Sequence, residues 1–207
     1  MISFLNKKIL LISPHIDDVE LGMGATVNKY VRDNDIYYLG LSAPDNVEYD
    51  NFIKNEFLPS CEILGLDRNN LILKKFHPRD MAYQRGEILQ LLYDINVDLN
   101  PDIVFIPNSN DVHQSHTVVF EESRRAFKYK SIVGYELPWN NFEFSNDIFI
   151  TLSKENIISK VSAIKKFSSQ KNRIFFSNDI VKDLAHVRGK QVGAKYAECF
   201  ELIRLII

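Results

Sequence analysis

The sequence predicts an α/β fold, a single-domain Rossmann-like three-layer sandwich with a mostly parallel central sheet, and three observations point that way. Short, continuously apolar runs alternate with longer amphipathic stretches through the first half of the chain, as strands buried on both faces of a parallel sheet alternate with crossover helices. The 207 residues suffice for one α/β domain with a large core and are short for two. No linker, internal repeat or low-complexity segment divides them.

The elements follow in order. Residues 8–13 are an apolar run closed by Pro14, which predicts a central strand. Met23, Ala25, Thr26, Val27, Tyr30 and Val31 recur at helical spacing, and Asp33, Asn34 and Asp35 end that helix with turn formers. The alternation continues with a strand at 36–42, a helix at 51–64 closed by Gly65, a strand at 70–76, a helix at 85–97 and a strand at 102–106 introduced by Pro101. Such units imply right-handed crossovers with helices on both faces. The pattern then loosens: a helix at 117–127, strands at 132–136 and 148–152, and helices at 155–167 and 179–195. Residues 200–207 fit a closing strand or the end of a helix equally well.

Bulk properties narrow the function. With 25 basic and 27 acidic side chains the net charge is -2, so no global field draws the chain to nucleic acid or to an anionic membrane. The amino terminus turns polar early and no run approaches the ~20 apolar residues that span a bilayer, so no transmembrane segment and a cytoplasmic location are expected. Cys61 and Cys199 each sit beside apolar residues without paired spacing, which predicts buried, reduced thiols. Association into a homo-oligomer stays open.

In open parallel sheets, ligands bind beyond the carboxyl ends of the strands. The first strand runs straight into Pro14, His15, Ile16, Asp17, Asp18, Val19 and Glu20, and the strand at 102–106 runs into the segment from Pro107 through His113 to His116. Each loop offers a pair of nitrogen or oxygen ligands three residues apart, His15 with Asp18 and His113 with His116. Three protein ligands and an open fourth position suit a catalytic zinc. Either loop alone reads more simply as polar turns and caps; two such loops at strand ends favour the metal. Gly22 and Gly24 suggest a dinucleotide turn, but the third glycine is missing and Asp17, Asp18 and Glu20 would repel a pyrophosphate. Close approach of helix and sheet explains those glycines better.

These residues resemble the N-acetylglucosaminyl-phosphatidylinositol de-N-acetylases (PIG-L), also called LmbE-like deacetylases. The likeness spans nearly the whole chain: the His-x-Asp-Asp-x-Glu segment at 15–20, Asn55 and Glu56 with Leu64 and Gly65, Pro101 to Phe105, His113-x-x-His116, the block from Arg188 to Gly193, and the block from Tyr196 to Phe200. The resemblance implies Zn2+, or Fe2+ as the alternative, held by His15, Asp18 and His116. It implies Asp17 as the general base for the attacking water, and His113 as the group that stabilises the oxyanion and passes a proton to the departing amine. An amide is a poor electrophile with a poor leaving group, so it needs all three forms of help. It also implies an N-acetylated amino sugar as substrate, within a nucleotide sugar, glycolipid or polysaccharide precursor. The rivals are an amidase of another N-acyl amine or thiol conjugate, and a metal- or sugar-binding module without turnover.

Two departures stand out. Ile16 replaces a usual proline, and Ser115 replaces a usual aspartate; losing that carboxylate is expected to lower the pKa of His113. Arg79 and Asp80 follow the strand at 70–76 and are candidates to hold sugar hydroxyls, with a surface salt bridge as the alternative. Arg188 is a further substrate candidate, although an ion pair or helix packing explains it and Glu198 as well. Glu20 fits a helix N-terminal residue or a partner orienting a metal ligand. Asn110 and Asp111 orient the second loop or form an Asx-turn. Trp139 stacks on a sugar or packs, and His77 and His186 are read as ordinary polar residues.

Overall fold

The computed structural model describes residues 5–206. Its centre is a seven-stranded sheet of order β3-β2-β1-β4-β5-β7-β6, made of β1 (Lys8–His15), β2 (Asp35–Ser42), β3 (Leu71–Leu73), β4 (Ile103–Pro107), β5 (Ser131–Tyr135), β6 (Ile148–Leu152) and β7 (Tyr196–Arg204). β1 to β5 pair in parallel; β7 runs antiparallel to both β5 and β6. The helices are α1 (Asp18–Tyr30), α2 (Tyr49–Phe52), α3 (Leu58–Leu64), α4 (Arg85–Leu99), α5 (Gln114–Ala126), α6 (Lys154–Ile164) and α7 (Asn178–Gln191). One buried cluster joins α1, α3, α6 and α7 to one face, and a second joins α4 and α5 to the other. The predicted three-layer α/β architecture is the one observed. The ambiguous carboxyl-terminal stretch is a strand, with Ile207 outside the described residues.

Three local differences have physical causes. The helix expected at 51–64 is broken by a π-helical turn at Ile53–Phe57, in which the Leu58 amide reaches back to the Ile53 carbonyl. Pro59 follows immediately. It has no N–H for the next α-helical bond, so the wider turn absorbs the mismatch. The regular strand expected at 70–76 is only Leu71–Leu73; beyond it the Lys74 and Phe76 amides still donate to Gly40 and Leu41 of β2, at 2.8 and 3.0 Å, but out of the regular parallel register. The helix expected to reach residue 195 stops at Gln191 because Gly193 takes φ 73°, a left-handed conformation that ends helices.

Helix α1 lies hard against the sheet. A Cβ on Gly22 would fall 2.7 Å from the Tyr135 ring, so glycine there allows the close approach expected of it. At Met23 the helix kinks (φ -146°, ψ 19°), which strips the next amides of their intrahelical acceptors. The Glu198 carboxylate on β7 takes both, accepting from Ala25 N–H at 3.2 Å and Thr26 N–H at 2.7 Å. Lys160 on α6 balances it at 2.6 Å. Glu198 is therefore a buried structural cap, the packing role read as one of its two alternatives.

Candidate metal centre and cleft

The carboxyl end of β1 is tied down before it presents anything. The Ser42 hydroxyl donates to the Pro14 carbonyl at 2.8 Å, and the Ile16 amide donates to the Ser42 carbonyl at 2.8 Å. A proline at position 16 lacks that N–H, so Ile16 replaces ring stiffness with a hydrogen bond to β2. The His15 amide donates to Asp18 Oδ2 at 2.7 Å, closing a tight turn that brings both side chains to one side.

The second loop turns on Asp111. Its Oδ1 accepts from the His113 amide at 2.9 Å, an Asx-turn, while its Oδ2 lies 2.7 Å from His116 Nδ1 and 3.3 Å from Asn140 Nδ2. The Asx-turn read as one alternative for Asp111 is present, and its second oxygen also meets the His116 imidazole, a contact that the sequence did not indicate. Ser115 points away, donating to the Pro78 carbonyl at 2.7 Å.

The two loops meet. His15 Nδ1, Asp18 Oδ2 and His116 Nε2 form a nearly equilateral triangle with sides of 3.2, 3.1 and 3.0 Å. Ligands 2.0–2.1 Å from a tetrahedral zinc lie about 3.3 Å apart, so the donor set and its size fit a single small cation. The electrostatics agree. Burial pushes Asp18 up, but His116 and His15 outweigh it and hold the carboxyl well below its usual range. Burial alone would lower His116, yet Asp18 and Asp111 raise it to about 10. The centre calls for positive charge between these groups.

His113 contributes a third imidazole, its ring 4.7 Å from His15 and 4.8 Å from His116. The ligand nitrogens of the three histidines lie within 4.8 Å of one another, a looser set than the triangle that includes Asp18. Burial first, then the charges of His116 and His15, lower His113 to about 4. The direction matches the expectation from Ser115, but burial and neighbouring imidazoles account for it.

Asp17 precedes α1 and makes no capping bond with its side chain; it lines the cleft instead. Burial, then Asp18, then Glu20 hold its carboxyl well above the usual range. Glu20 is fully buried, accepts from the Tyr38 hydroxyl at 3.1 Å, and is raised by burial to about 7.

Above these residues opens a cleft of about 460 Å³. Arg79 lines it, bonded to Asp45 at 2.9 Å. Asp80 is not part of the lining; it pairs with His77 at 3.2 Å, the salt-bridge alternative. Arg188 is also absent from the lining. Its guanidinium forks onto Glu136, which makes the ion-pair role the observed one. Trp139 does line the cleft, stacked on Phe175 with ring centroids 4.6 Å apart and planes 13° apart. Sequence reasoning missed Asp45, Gln170, Arg173 and Phe175. They lie on connections without a ligand-spaced motif, so only folding brings them to the site. Cys61 and Cys199 are buried free thiols, as expected, and no helix among the described residues is long and apolar enough to cross a membrane.

A cleft at the carboxyl edge of a largely parallel sheet, floored by imidazoles and carboxylates from two strand ends, defines a class of α/β protein whose floor has the donors to hold a metal ion. Residues 10–127 match the family described as PIG-L, GlcNAc-PI de-N-acetylase, and the chain belongs to that family. The chain is 28% identical over 179 residues to the uncharacterized deacetylase YaiS of Escherichia coli K12, covering 82% of this chain and 96% of that one. Among solved structures, the conserved protein TT1542 of Thermus thermophilus superposes with a TM-score of 0.83 at 21% identity, covering 97% and 96% of the two chains. The N,N'-diacetylchitobiose deacetylase of Pyrococcus horikoshii superposes with a TM-score of 0.73 at 18% identity, covering 95% and 84%.

Proposed function

We propose that this chain is a zinc-dependent N-deacetylase that hydrolyses the acetamide of an N-acetylated amino sugar, within a nucleotide sugar, glycolipid or polysaccharide precursor. Family membership supplies the deacetylase class, and an N-acetylated sugar is the substrate in the name of the Pyrococcus horikoshii structure. The observation that carries the reading is the triangle of His15 Nδ1, Asp18 Oδ2 and His116 Nε2 at the floor of the cleft.

These three residues would hold the cation, with Asp111 fixing the His116 ring so that Nε2 faces inward. Two imidazoles and a carboxylate suit zinc and ferrous iron alike, and the buried, compact donor set favours zinc at four-coordination. When bound, such an ion acidifies water and polarises the acyl oxygen. Asp17 then takes the proton of the attacking water. Its raised pKa brings it closer to the proton it must accept, which is what a general base requires. His113 is neutral at pH 7 because its pKa is lowered, and a neutral imidazole still donates one N–H to an oxyanion. The leaving nitrogen then takes from Asp17 the proton that the carboxylate accepted from the water, so the step balances with His113 uncharged throughout.

Metal analysis of protein purified without added metal, with an acetate-release screen over free, nucleotide-linked and lipid-linked N-acetyl sugars, tests the proposal. One equivalent of zinc and acetate release from at least one sugar are the expected results. Zinc without release from any of them would mark a binding module, and release only from other N-acyl amines would shift the substrate class.

A further inference from the structure

The cleft contains a cation without a carboxylate partner. Of its acidic groups, Asp18 lies between two imidazoles, Asp45 is paired with Arg79, and Asp17 sits at the floor. Arg173 lines the same cleft, and among the described residues it has no salt bridge and no side-chain hydrogen bond. Its guanidinium carbon lies 5.7 Å from the centre of the Phe175 ring, which itself stacks on Trp139. The side chain therefore stands beside an aromatic wall with its hydrogen-bonding edge uncommitted.

The segment that carries Arg173 is anchored. Glu56, on the π-helical turn, accepts from the Ser168 hydroxyl at 2.9 Å, from the Ser169 hydroxyl at 2.8 Å and from the Ser169 amide at 3.1 Å. Buried Gln170 donates to the Ser169 hydroxyl at 3.0 Å, and the Arg173 amide donates to the Gln170 carbonyl at 2.9 Å. The π-turn thus has a use: it presents Glu56 to a loop more than a hundred residues away. A planar guanidinium with free donors, exposed at the mouth of a cleft beside stacked rings and carried on an anchored segment, is suited to fork onto a carboxylate or phosphate.

We propose that Arg173 is a specificity residue that selects an N-acetylated sugar bearing an anionic group, a carboxylate or a phosphate, with the Trp139 and Phe175 wall covering the apolar side of that substrate. This rests on the deacetylase reading and names its substrate class more narrowly.

The experiment compares N-acetylglucosamine, its 1-phosphate and N-acetylmuramic acid in acetate release by the wild type, Arg173→Met and Arg173→Lys. Calorimetric titration with glucosamine and glucosamine 1-phosphate runs alongside. The wild type is expected to favour at least one anionic substrate by about 10- to 100-fold in kcat/KM, the scale of a charge-assisted hydrogen-bonded pair. In Arg173→Met that preference disappears through a higher KM while turnover of the neutral sugar persists, and Arg173→Lys restores part of it. Which anionic sugar gains tells carboxylate from phosphate. Equal treatment of neutral and anionic sugars by the wild type overturns the proposal. So does an equal loss of kcat on all substrates in Arg173→Met, which would place Arg173 in the service of Asp17. No acetate from any sugar, with Arg173-dependent preference for glucosamine 1-phosphate in the titration, sinks the deacetylase reading while the anion site stands. Neither acetate nor such a preference sinks both.

Discussion

The floor of the cleft and its wall are built on different principles. The floor comes from two strand ends whose loops are closed by short local bonds, His15 amide to Asp18 and His113 amide to Asp111, so each ligand pair is positioned by residues beside it in sequence. The wall comes from scattered connections: Asp45 after β2, Arg79 after β3, Trp139 after β5 and the segment from Gln170 to Phe175 after α6. The connections that carry it are held by partners far away in the chain, as Glu56 holds Ser168 and Ser169 just before Gln170. In the proposed function, chemistry that tolerates little displacement sits at the strand ends, and discrimination between substrates sits on the longer connections.

That contrast makes predictions in which floor and wall substitutions separate into different kinetic constants. The largest effect is expected at Asp17: Asp17→Asn should lower kcat by roughly 10²- to 10⁴-fold, the usual scale of general-base catalysis, with bound metal unchanged by elemental analysis. A variant within a factor of a few of wild type would remove Asp17 from the mechanism.

Next comes the scaffold beneath the floor. Glu198→Ala leaves Lys160 buried without its partner and uncaps the kink in α1, so chemical denaturation should show a loss of about 3–5 kcal/mol. An unchanged denaturation midpoint would mean that the pair is replaceable by solvent.

Asp111→Asn keeps a side-chain oxygen for the Asx-turn but removes the charge facing His116. Metal affinity should fall by about 10- to 100-fold in a chelator competition, the usual cost of losing a carboxylate behind a ligating histidine. Affinity equal to wild type would show that orientation, and not charge, is what Asp111 provides.

The smallest effect is expected at the wall's anchor. Glu56→Gln weakens bonds to Ser168 and Ser169, and a loss of about 1 kcal/mol corresponds to roughly fivefold in KM with kcat nearly constant. A fall in kcat with KM unchanged would blur the distinction between floor and wall.

Legibility from sequence follows the same division. His15, Asp18, His113 and His116 stand out because each pair is three residues apart and follows an apolar strand, a signal that needs no knowledge of distant contacts. Asp111 was visible as a turn residue, but nothing local shows that its second oxygen meets His116. Arg188 lies in a block read as resembling the family's pattern, yet its partner Glu136 is 52 residues away and turns it from the cleft into an ion pair. Arg173 carries no pattern at all. Among element ends, the π-turn at Ile53–Phe57 was missed because it depends on a helix having to continue past Pro59.

What the sequence by itself determined was the parallel sheet with its helices and the placement of two ligand-bearing loops at its carboxyl edge. Those features arise from hydrophobic periodicity and turn chemistry, which act over a few residues. The tertiary structure alone decided how tightly His15, Asp18 and His116 close on one another while His113 stays wider, and that Arg173 shares their cleft. Those outcomes depend on where separately folded segments cross in space, and burial and charge at such crossings have no signature in the spacing of residues along the chain.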